Sequence, residues 1–207
     1  MRRLLGRANS SNVMKAVWVM EELGLSYERA NVGGPFGGIA TAGYRAMNPN
    51  GVVPTLVEDE FVLWESNAIT RYLCAANAPG HAMWPDDART RAGIDRWMDW
   101  QQTTLGPPQT VVFQGLVRTP LEGRDQAAID AALTRLTGVY ALLDGVLARH
   151  AYVAGPVFTL ADIALGVHLH RWFSFDVARP ELPHLRAWYD RLLARPAYAA
   201  HVALPMT

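Results

Sequence analysis

The spacing of hydrophobic residues changes near position 79, and this change constrains the fold more than any other feature of the chain. Before it, short apolar runs alternate with helical spacings in the order strand, helix, strand, helix, strand, strand, helix. Beyond it, apolar residues recur at helical spacing as far as Leu193. We therefore expect two domains, an α/β domain over residues 1–78 and an all-helical domain over residues 86–207.

The first domain has the pattern of a small mixed sheet with helices packed on it. A helix starts near Ser10, and Gly24 stands where a C-terminal cap ends a helix. Pro54 begins the first strand of a hairpin. This order of elements is that of a thioredoxin-like layer. The predicted strands cover residues 3–6, 27–32, 54–57 and 61–63.

The second domain is predicted to be helical throughout. A long helix runs from Arg89 to about Leu105. Pro107 and Pro108 are expected to interrupt or kink it, because proline lacks the N–H that a helix interior requires. The segment 160–173 is apolar on every face and is expected to be the central helix. Further helices are predicted over residues 126–149 and 182–193.

Charge and composition limit the possible partners. The chain has 19 basic and 19 acidic residues, and no basic tract favours nucleic acid. No apolar run approaches the roughly 20 residues of a membrane span, and the N-terminus lacks the apolar core of a signal peptide. The single cysteine, Cys74, excludes an internal disulfide and is typical of a buried small hydrophobe. Together these features predict a cytoplasmic protein without nucleic-acid or membrane partners.

The start of the first helix carries the clearest candidate for chemistry. Ser10, Ser11 and Asn12 stand where backbone N–H groups are free and the helix dipole is positive. A hydroxyl or amide in this position can donate to a bound sulfur anion and lower the pKa of a thiol. The same residues are also good helix caps, so this motif alone leaves both interpretations open.

A second motif gives the first one its context. It consists of Asn48-Pro49-Asn50-Gly51-Val52-Val53-Pro54-Thr55-Leu56, followed by Glu65-Ser66-Asn67-Ala68-Ile69. At this distance from a serine-rich first helix, the pair resembles the cytosolic glutathione transferase family, most closely its bacterial serine-type members. The resemblance covers nearly the whole chain. It implies glutathione as cosubstrate, no metal or bound cofactor, and a homodimer on the third and fourth helices with Arg71 and Tyr72 near the contact.

The resemblance also assigns the residues that hold glutathione. It implies a cis bond between Val53 and Pro54, which turns the Val53 N–H and C=O outward to pair with an extended tripeptide. Ser66 is implied to bind the γ-glutamyl carboxylate and Glu65 the γ-glutamyl ammonium. The alternative for Ser66 is that it only caps the third helix.

One position departs from the family pattern. Many members carry Lys or Gln just before the Val-Pro pair, where it contacts the glycyl carboxylate of glutathione, and this chain has Val52 there. The cation expected on the second helix is also missing, since Ile39 and Ala40 stand near its place. Arg45 or Asn50 are the candidates to replace it.

The second substrate is expected to lie against the helical domain. Trp97, Gln101 and Thr104 fall on one side of the long helix at steps of three and four residues. Phe113 and Trp172 are expected to complete an apolar pocket with them. The alternative is that these aromatic residues belong to the core, as aromatic residues at helical spacing usually do.

Other polar residues are assigned to structure. Thr159 and Asp162 form a capping box that matches the capping module of the family, so we expect Asp162 to be buried and structural. His168 and His170 are two residues apart on a helix and face different ways, so they cannot share a metal ion.

The predicted function is that of a glutathione transferase. Ser10 would stabilise the thiolate of glutathione, which then attacks an electrophilic carbon of an apolar compound. Ser11 and Asn12 remain alternatives for the contact with sulfur, because some bacterial members use a Thr and Asn pair for disulfide chemistry. Two other functions stay open: a glutathione-dependent disulfide reductase on the same fold, and a binding protein without catalysis.

Overall fold

A four-stranded mixed sheet organises the first half of the protein, whose structure is a computed structural model describing residues 1–206. The elements of this half are β1 (Arg2–Leu5), α1 (Ser11–Glu22), β2 (Glu28–Ala30), α2 (Ala42–Met47), β3 (Thr55–Glu58), β4 (Phe61–Trp64) and α3 (Ser66–Asn77). The strand order is β2-β1-β3-β4, with β1 parallel to β2 and the other neighbours antiparallel. The predicted thioredoxin-like arrangement is confirmed.

Buried side chains on the two central strands fix the register of the sheet. Leu4 in β1 pairs with Leu56 in β3, and both side chains are fully buried, so the two strands present the same face to the core. α1 packs against α3, and Gly24 follows α1 in the left-handed conformation that ends a helix, as predicted. The N-termini of α1 and α3 are thereby held next to each other.

The second half is helical, and α1 is joined to it through the apolar α7. Its elements are α4 (Ala88–Trp100), α5 (Gly106–Phe113), α6 (Gln126–Leu147), α7 (Leu160–Ser174), α8 (Pro183–Leu193) and α9 (Pro196–His201). α7 is buried on nearly every face and packs against α1 and α4, which confirms the prediction of a central helix. α9 is a helix that the sequence analysis does not predict, because six residues are too few to establish a period. Within residues 1–206, no helix has the length and hydropathy needed to cross a bilayer.

The regular α-helix is interrupted directly before Pro107 and Pro108, as expected, but the two prolines do not end the helical path. The helical path continues from α4 into α5 through a π-helical turn, Gln101–Leu105, and a second such turn, Gln114–Arg118, extends it. The two prolines fall in the first turn of α5, directly after the wider turn. A wide turn changes which carbonyls are bonded, so the missing proline N–H groups do not end the helix.

Asp162 ties the start of α7 to its surroundings, as the capping box predicts. Its carboxylate accepts hydrogen bonds from the backbone N–H of Thr159 at 2.9 Å, the backbone N–H of Val153 at 3.0 Å and the indole N–H of Trp188 at 3.1 Å. The residue is fully buried, and burial raises its pKa to about 6. Asp162 is therefore a structural residue of the helical domain.

We expect Asp162→Ala to lower the free energy of unfolding by about 3 kcal/mol or more, because three buried donors lose their acceptor. Urea unfolding followed by circular dichroism measures this change. Asp176→Ala removes an exposed carboxylate and serves as the matched control, with an expected change within about 0.5 kcal/mol. Equal stability of the two variants would contradict the structural role of Asp162.

Candidate active site

The Ser10 side chain at the start of α1 is 8% exposed and does not cap the helix. Ser10 occupies the N-cap position in an extended conformation, with φ −86° and ψ 122°, but its side chain makes no capping hydrogen bond. Ser11 is the first residue of the helix and is partly exposed, while Asn12 is exposed. Capping therefore does not account for Ser10, whose hydroxyl lies beside free N–H groups at the positive end of the helix.

The loop before β3 prepares an open backbone edge. The Val53–Pro54 peptide bond is cis, as expected. The Val52 carbonyl next to it is held by the Tyr44 hydroxyl at 2.6 Å and by the Asn48 amide at 2.9 Å. The loop and turn hydrogen bonds within residues 1–206 do not use the Val53 backbone. Its N–H and C=O are thus the groups with which an added strand could pair.

The first turn of α3 carries two of the expected ligand-binding residues. Glu65 occupies the N-cap position with φ 72° and ψ 112°, a conformation that is strained for a residue with a side chain, and its carboxylate is exposed. Strained positions of this kind are concentrated at functional sites. The alternative in which Ser66 only caps the helix is wrong, because Ser66 is already the first helical residue and its Oγ donates to Asn12 Oδ1 at 3.2 Å.

The hydrogen bond between Ser66 and Asn12 joins the two motifs that the sequence analysis treats separately. The residues are 54 positions apart in the chain. The packing of α1 on α3 brings the two helix N-termini to the same place, where both dipoles are positive. A ligand with an anionic carboxylate and an ionisable thiol fits such a pair of helix ends.

A residue that sequence reasoning missed lies directly beneath this hydrogen bond. Lys15 is only 1% exposed, and its Nζ donates to Gln101 Oε1 at 2.6 Å, Asn67 Oδ1 at 3.2 Å and Ser66 Oγ at 3.5 Å. Burial lowers its pKa from 10.5 to about 7, a shift that the negative Glu65 opposes and the positive Arg71 increases. The signal available in the sequence was that Lys15 is the only lysine of the chain, placed within a run of apolar residues.

Gln101 belongs to this buried network and not to a substrate pocket. Its Oε1 accepts from Lys15, and its Nε2 lies 3.0 Å from His168 Nε2. Burial lowers the pKa of His168 well below its usual value, so the ring is neutral near pH 7. Gln101 is 4% exposed and both ends of its amide have partners in this network, so it does not present a group to a second substrate.

The other four residues expected in the second-substrate pocket do not line one cavity. Trp97 packs on Trp100 with ring centroids 5.4 Å apart at an outer surface, and Thr104 bonds only its neighbour on the helix. Trp172 is 1% exposed and packs on Tyr140. The alternative that aromatic residues at this spacing belong to packing surfaces accounts for these positions.

Phe113 does lie at the junction of the two domains. Its ring is covered by the Arg171 guanidinium at 4.0 Å and approached by Arg118 at 5.4 Å. A neighbouring cleft of about 400 Å³ opens beside the loop that precedes Ser10. The cleft is lined by Ala8, Asn9, Arg29, Asn31, Pro35, Phe36 and Arg118.

Asn50 and Arg45, the two candidates to replace the lysine that is absent at position 52, differ in their contacts. Val52 itself is 51% exposed. Asn50 is turned back onto Asn48, whose Oδ1 accepts from its N–H at 3.2 Å and from its Nδ2 at 3.3 Å. Arg45, at the end of α2, is exposed, and its Nη2 lies 3.2 Å from where a Cβ on Gly51 would stand. Of the two candidates, Arg45 is therefore the one that places a cation beside Gly51, two residues before Val53.

Comparisons with known proteins show the family of the chain. The family model for the N-terminal domain of glutathione S-transferases matches residues 9–76, and that for the C-terminal domain matches residues 94–196. Glutathione S-transferase GstB of Escherichia coli strain K12 is 43% identical over 206 residues, covering 99% of both chains. Glutathione S-transferase 3 of Zea mays is 35% identical over 208 residues, covering 97% of this chain and 93% of the relative.

A solved structure is also similar over the whole chain. The theta class glutathione S-transferase from Xanthomonas axonopodis pv. citri, crystallised with glutathione bound, shares 50% identity and a TM-score of 0.95, covering 100% of this chain and 99% of that one. These matches extend over both the thioredoxin-like domain and the helical domain. The chain therefore belongs to the glutathione S-transferase family.

The buried Lys15 makes stability depend on pH in a defined direction. Its pKa is about 7 in the folded protein against an ordinary value of 10.5, so between these values the unfolded chain binds the proton and the folded protein does not. The contribution of Lys15 to the free energy of unfolding therefore rises with pH over this window. We expect Lys15→Met to lose this rise, as measured by urea unfolding at pH 7, 8 and 9. An identical pH slope in the variant would show that Lys15 does not titrate in the window.

Proposed function

We propose that the protein binds glutathione along the Val53 edge and activates its thiol at the start of α1. The observation that carries this proposal is the hydrogen bond from Ser66 Oγ to Asn12 Oδ1, which brings the expected carboxylate site and the expected thiol site together. Ser10, whose hydroxyl makes no capping hydrogen bond, lies two residues before Asn12 at the same helix end. Ser10 is the group assigned to the sulfur, with Ser11 and Asn12 as the neighbouring alternatives.

The site has to lower the pKa of the glutathione thiol by only a small amount. The Ser10 hydroxyl donates a hydrogen bond to the thiolate, and the positive end of α1 adds to it. Lowering a thiol pKa by about two units corresponds to about 2.7 kcal/mol, which such a pair of interactions supplies. The thiol proton leaves to solvent, the sulfur forms a bond to the electrophilic carbon, and the leaving group departs with its electron pair.

The remaining parts of glutathione have candidate partners around the same groove. Val53 N–H and C=O pair with the cysteinyl backbone, as in strand addition. Ser66 and the N–H groups of α3 receive the γ-glutamyl carboxylate, and the exposed Glu65 receives the ammonium. The electrophile occupies the cleft beside the loop before Ser10, which Arg118 borders from the helical domain.

We expect Ser10→Ala to lower kcat/KM for glutathione with 1-chloro-2,4-dinitrobenzene about tenfold or more, because the thiolate loses a charge-assisted hydrogen bond. The apparent pKa of the reaction should rise, while KM for glutathione changes little. Ser26→Ala, at an exposed serine before β2, is the matched control. Unchanged turnover in Ser10→Ala, with a loss in Ser11→Ala or Asn12→Ala, would assign the sulfur contact to that residue.

Disulfide reduction remains the second candidate, because the exposed Asn12 lies beside the same helix end and suits a mixed disulfide as well as a thiolate. Activity on the mixed disulfide that glutathione forms by exchange with hydroxyethyl disulfide, without activity on aromatic halides, would favour it. The exposed Val52 supports the third interpretation, a binding protein without catalysis. Retention on a glutathione column without either activity would favour that one.

Arg45 is the cation that we assign to the glycyl carboxylate. We expect Arg45→Gln to raise KM for glutathione about tenfold and to leave kcat nearly unchanged, because the contact is made equally in the ground state and the transition state. Arg89→Gln, at an exposed arginine at the start of α4, is the control. An unchanged KM in Arg45→Gln would remove Arg45 from the binding site.

A homodimer on α3 and α4 is also part of this proposal. Arg71 on α3 pairs with Asp95 on α4 at 2.6 Å, which fixes the two helices against each other. Phe61, which is 43% exposed on the edge strand β4, packs on Tyr72 and leaves an apolar surface beside them. Light scattering that gives the mass of one 22.8 kDa chain at micromolar concentration would contradict the dimer.

A further inference from the structure

The buried ammonium of Lys15 has neutral partners only. Its three donor contacts go to a glutamine, an asparagine and a serine oxygen. No ion pair within residues 1–206 involves Lys15. A buried charge that is hydrogen-bonded but not neutralised is costly, so the site favours either loss of the proton or arrival of an anion.

The charged groups around Lys15 do not remove this imbalance. From α3, Glu65 is attractive at a distance and Arg71 is repulsive. Arg71 is itself paired with Asp95 and Asp99 of α4. From α7, His168 is neutral near pH 7 and adds no negative charge.

The composition of the chain adds an independent observation. Of the 19 basic residues, 18 are arginines, and the one lysine is the one buried at this junction. An arginine stays protonated under all ordinary conditions, whereas a lysine can release its proton when it is buried. The amine in this position is therefore able to change its charge when its surroundings change.

We propose that Lys15 is the buried counter-ion of the γ-glutamyl carboxylate of glutathione, acting through Ser66, so that ligand binding and protonation of this amine are coupled. The inference rests on the proposed glutathione site at Ser66. The carboxylate supplies the missing negative charge one residue away from the Lys15 Nζ, which lies 3.5 Å from Ser66 Oγ. Lys15 is a positioning residue, because it meets the ligand through Ser66 and not directly.

Ligand binding and protonation of Lys15 change each other's affinity by the same factor. A ligand that binds the protonated form more tightly raises the proton affinity of the amine, and the proton raises the affinity for the ligand. The free protein releases the Lys15 proton near pH 7, so binding at pH 8 takes up nearly one proton from solution.

The test uses the whole protein labelled with 13C at the lysine ε carbon and S-methylglutathione as the probe. The chain has one lysine, so one ε signal reports the protonation of Lys15. The thioether of the probe cannot ionise, so the thiol makes no contribution. At pH 8 we expect saturating S-methylglutathione to move the signal from the neutral to the charged position.

A titration of affinity against pH gives a second readout that a structural role would not move. For an amine with pKa about 7 that must be protonated, Kd should be about eightfold weaker at pH 8 than at pH 6.5. Lys15→Arg keeps the charge and should lose this pH dependence while it still binds the probe. Lys15→Met should bind more weakly at pH 6.5 and also show no pH dependence.

The possible results separate this inference from the function on which it rests. Binding of S-methylglutathione without movement of the lysine signal, or with the same pH dependence in Lys15→Arg, overturns the counter-ion role and leaves the glutathione site intact. Absence of any binding at millimolar probe overturns the proposed glutathione site and this inference together. Movement of the lysine signal, together with a pH dependence of Kd in the natural protein that both variants lose, supports the glutathione site and the counter-ion role of Lys15.

Discussion

The burial of one lysine at the meeting point of α1, α3 and the long helix is the constraint on which the rest of the structure depends. Lys15 satisfies its three donors only if Asn67, Ser66 and Gln101 are all in place. These residues come from both domains, so the network sets the position of the helical domain relative to the sheet. Misplacing one element would leave a buried cation with an unsatisfied donor, which is among the more costly defects in a protein interior.

The same constraint orients the candidate active site. Ser66 faces Lys15 on one side and Asn12 on the other, so the hydroxyl expected to meet a carboxylate is fixed between two helices. Glu65, directly before it, is held in a strained conformation that the surrounding structure has to enforce. The buried hydrogen bonds of Lys15 thus position Ser66 in the candidate active site. A substitution in the buried network therefore changes the site as well.

Sequence reasoning succeeded for features that depend on the position of a residue within one helix, strand or loop. The order of strands and helices, the capping box at Asp162 and the cis bond before Pro54 follow from local pattern or from the family resemblance. It failed for the pocket on the long helix, because helical spacing shows which side chains share a face but not what that face meets. At Pro107 it predicted the interruption of the α-helix but not its form, a wider turn that absorbs the missing hydrogen bonds.

The sequence by itself determined the fold class, the family and the positions of the two helix ends that face the groove, because these depend on spacing along the chain. Only the tertiary structure decided that Asn12 and Ser66 share a hydrogen bond, that Gln101 serves the interior, and that the single lysine is buried. Such facts join residues that are tens of positions apart. They are determined by which helices pack together, and no period in the sequence encodes that.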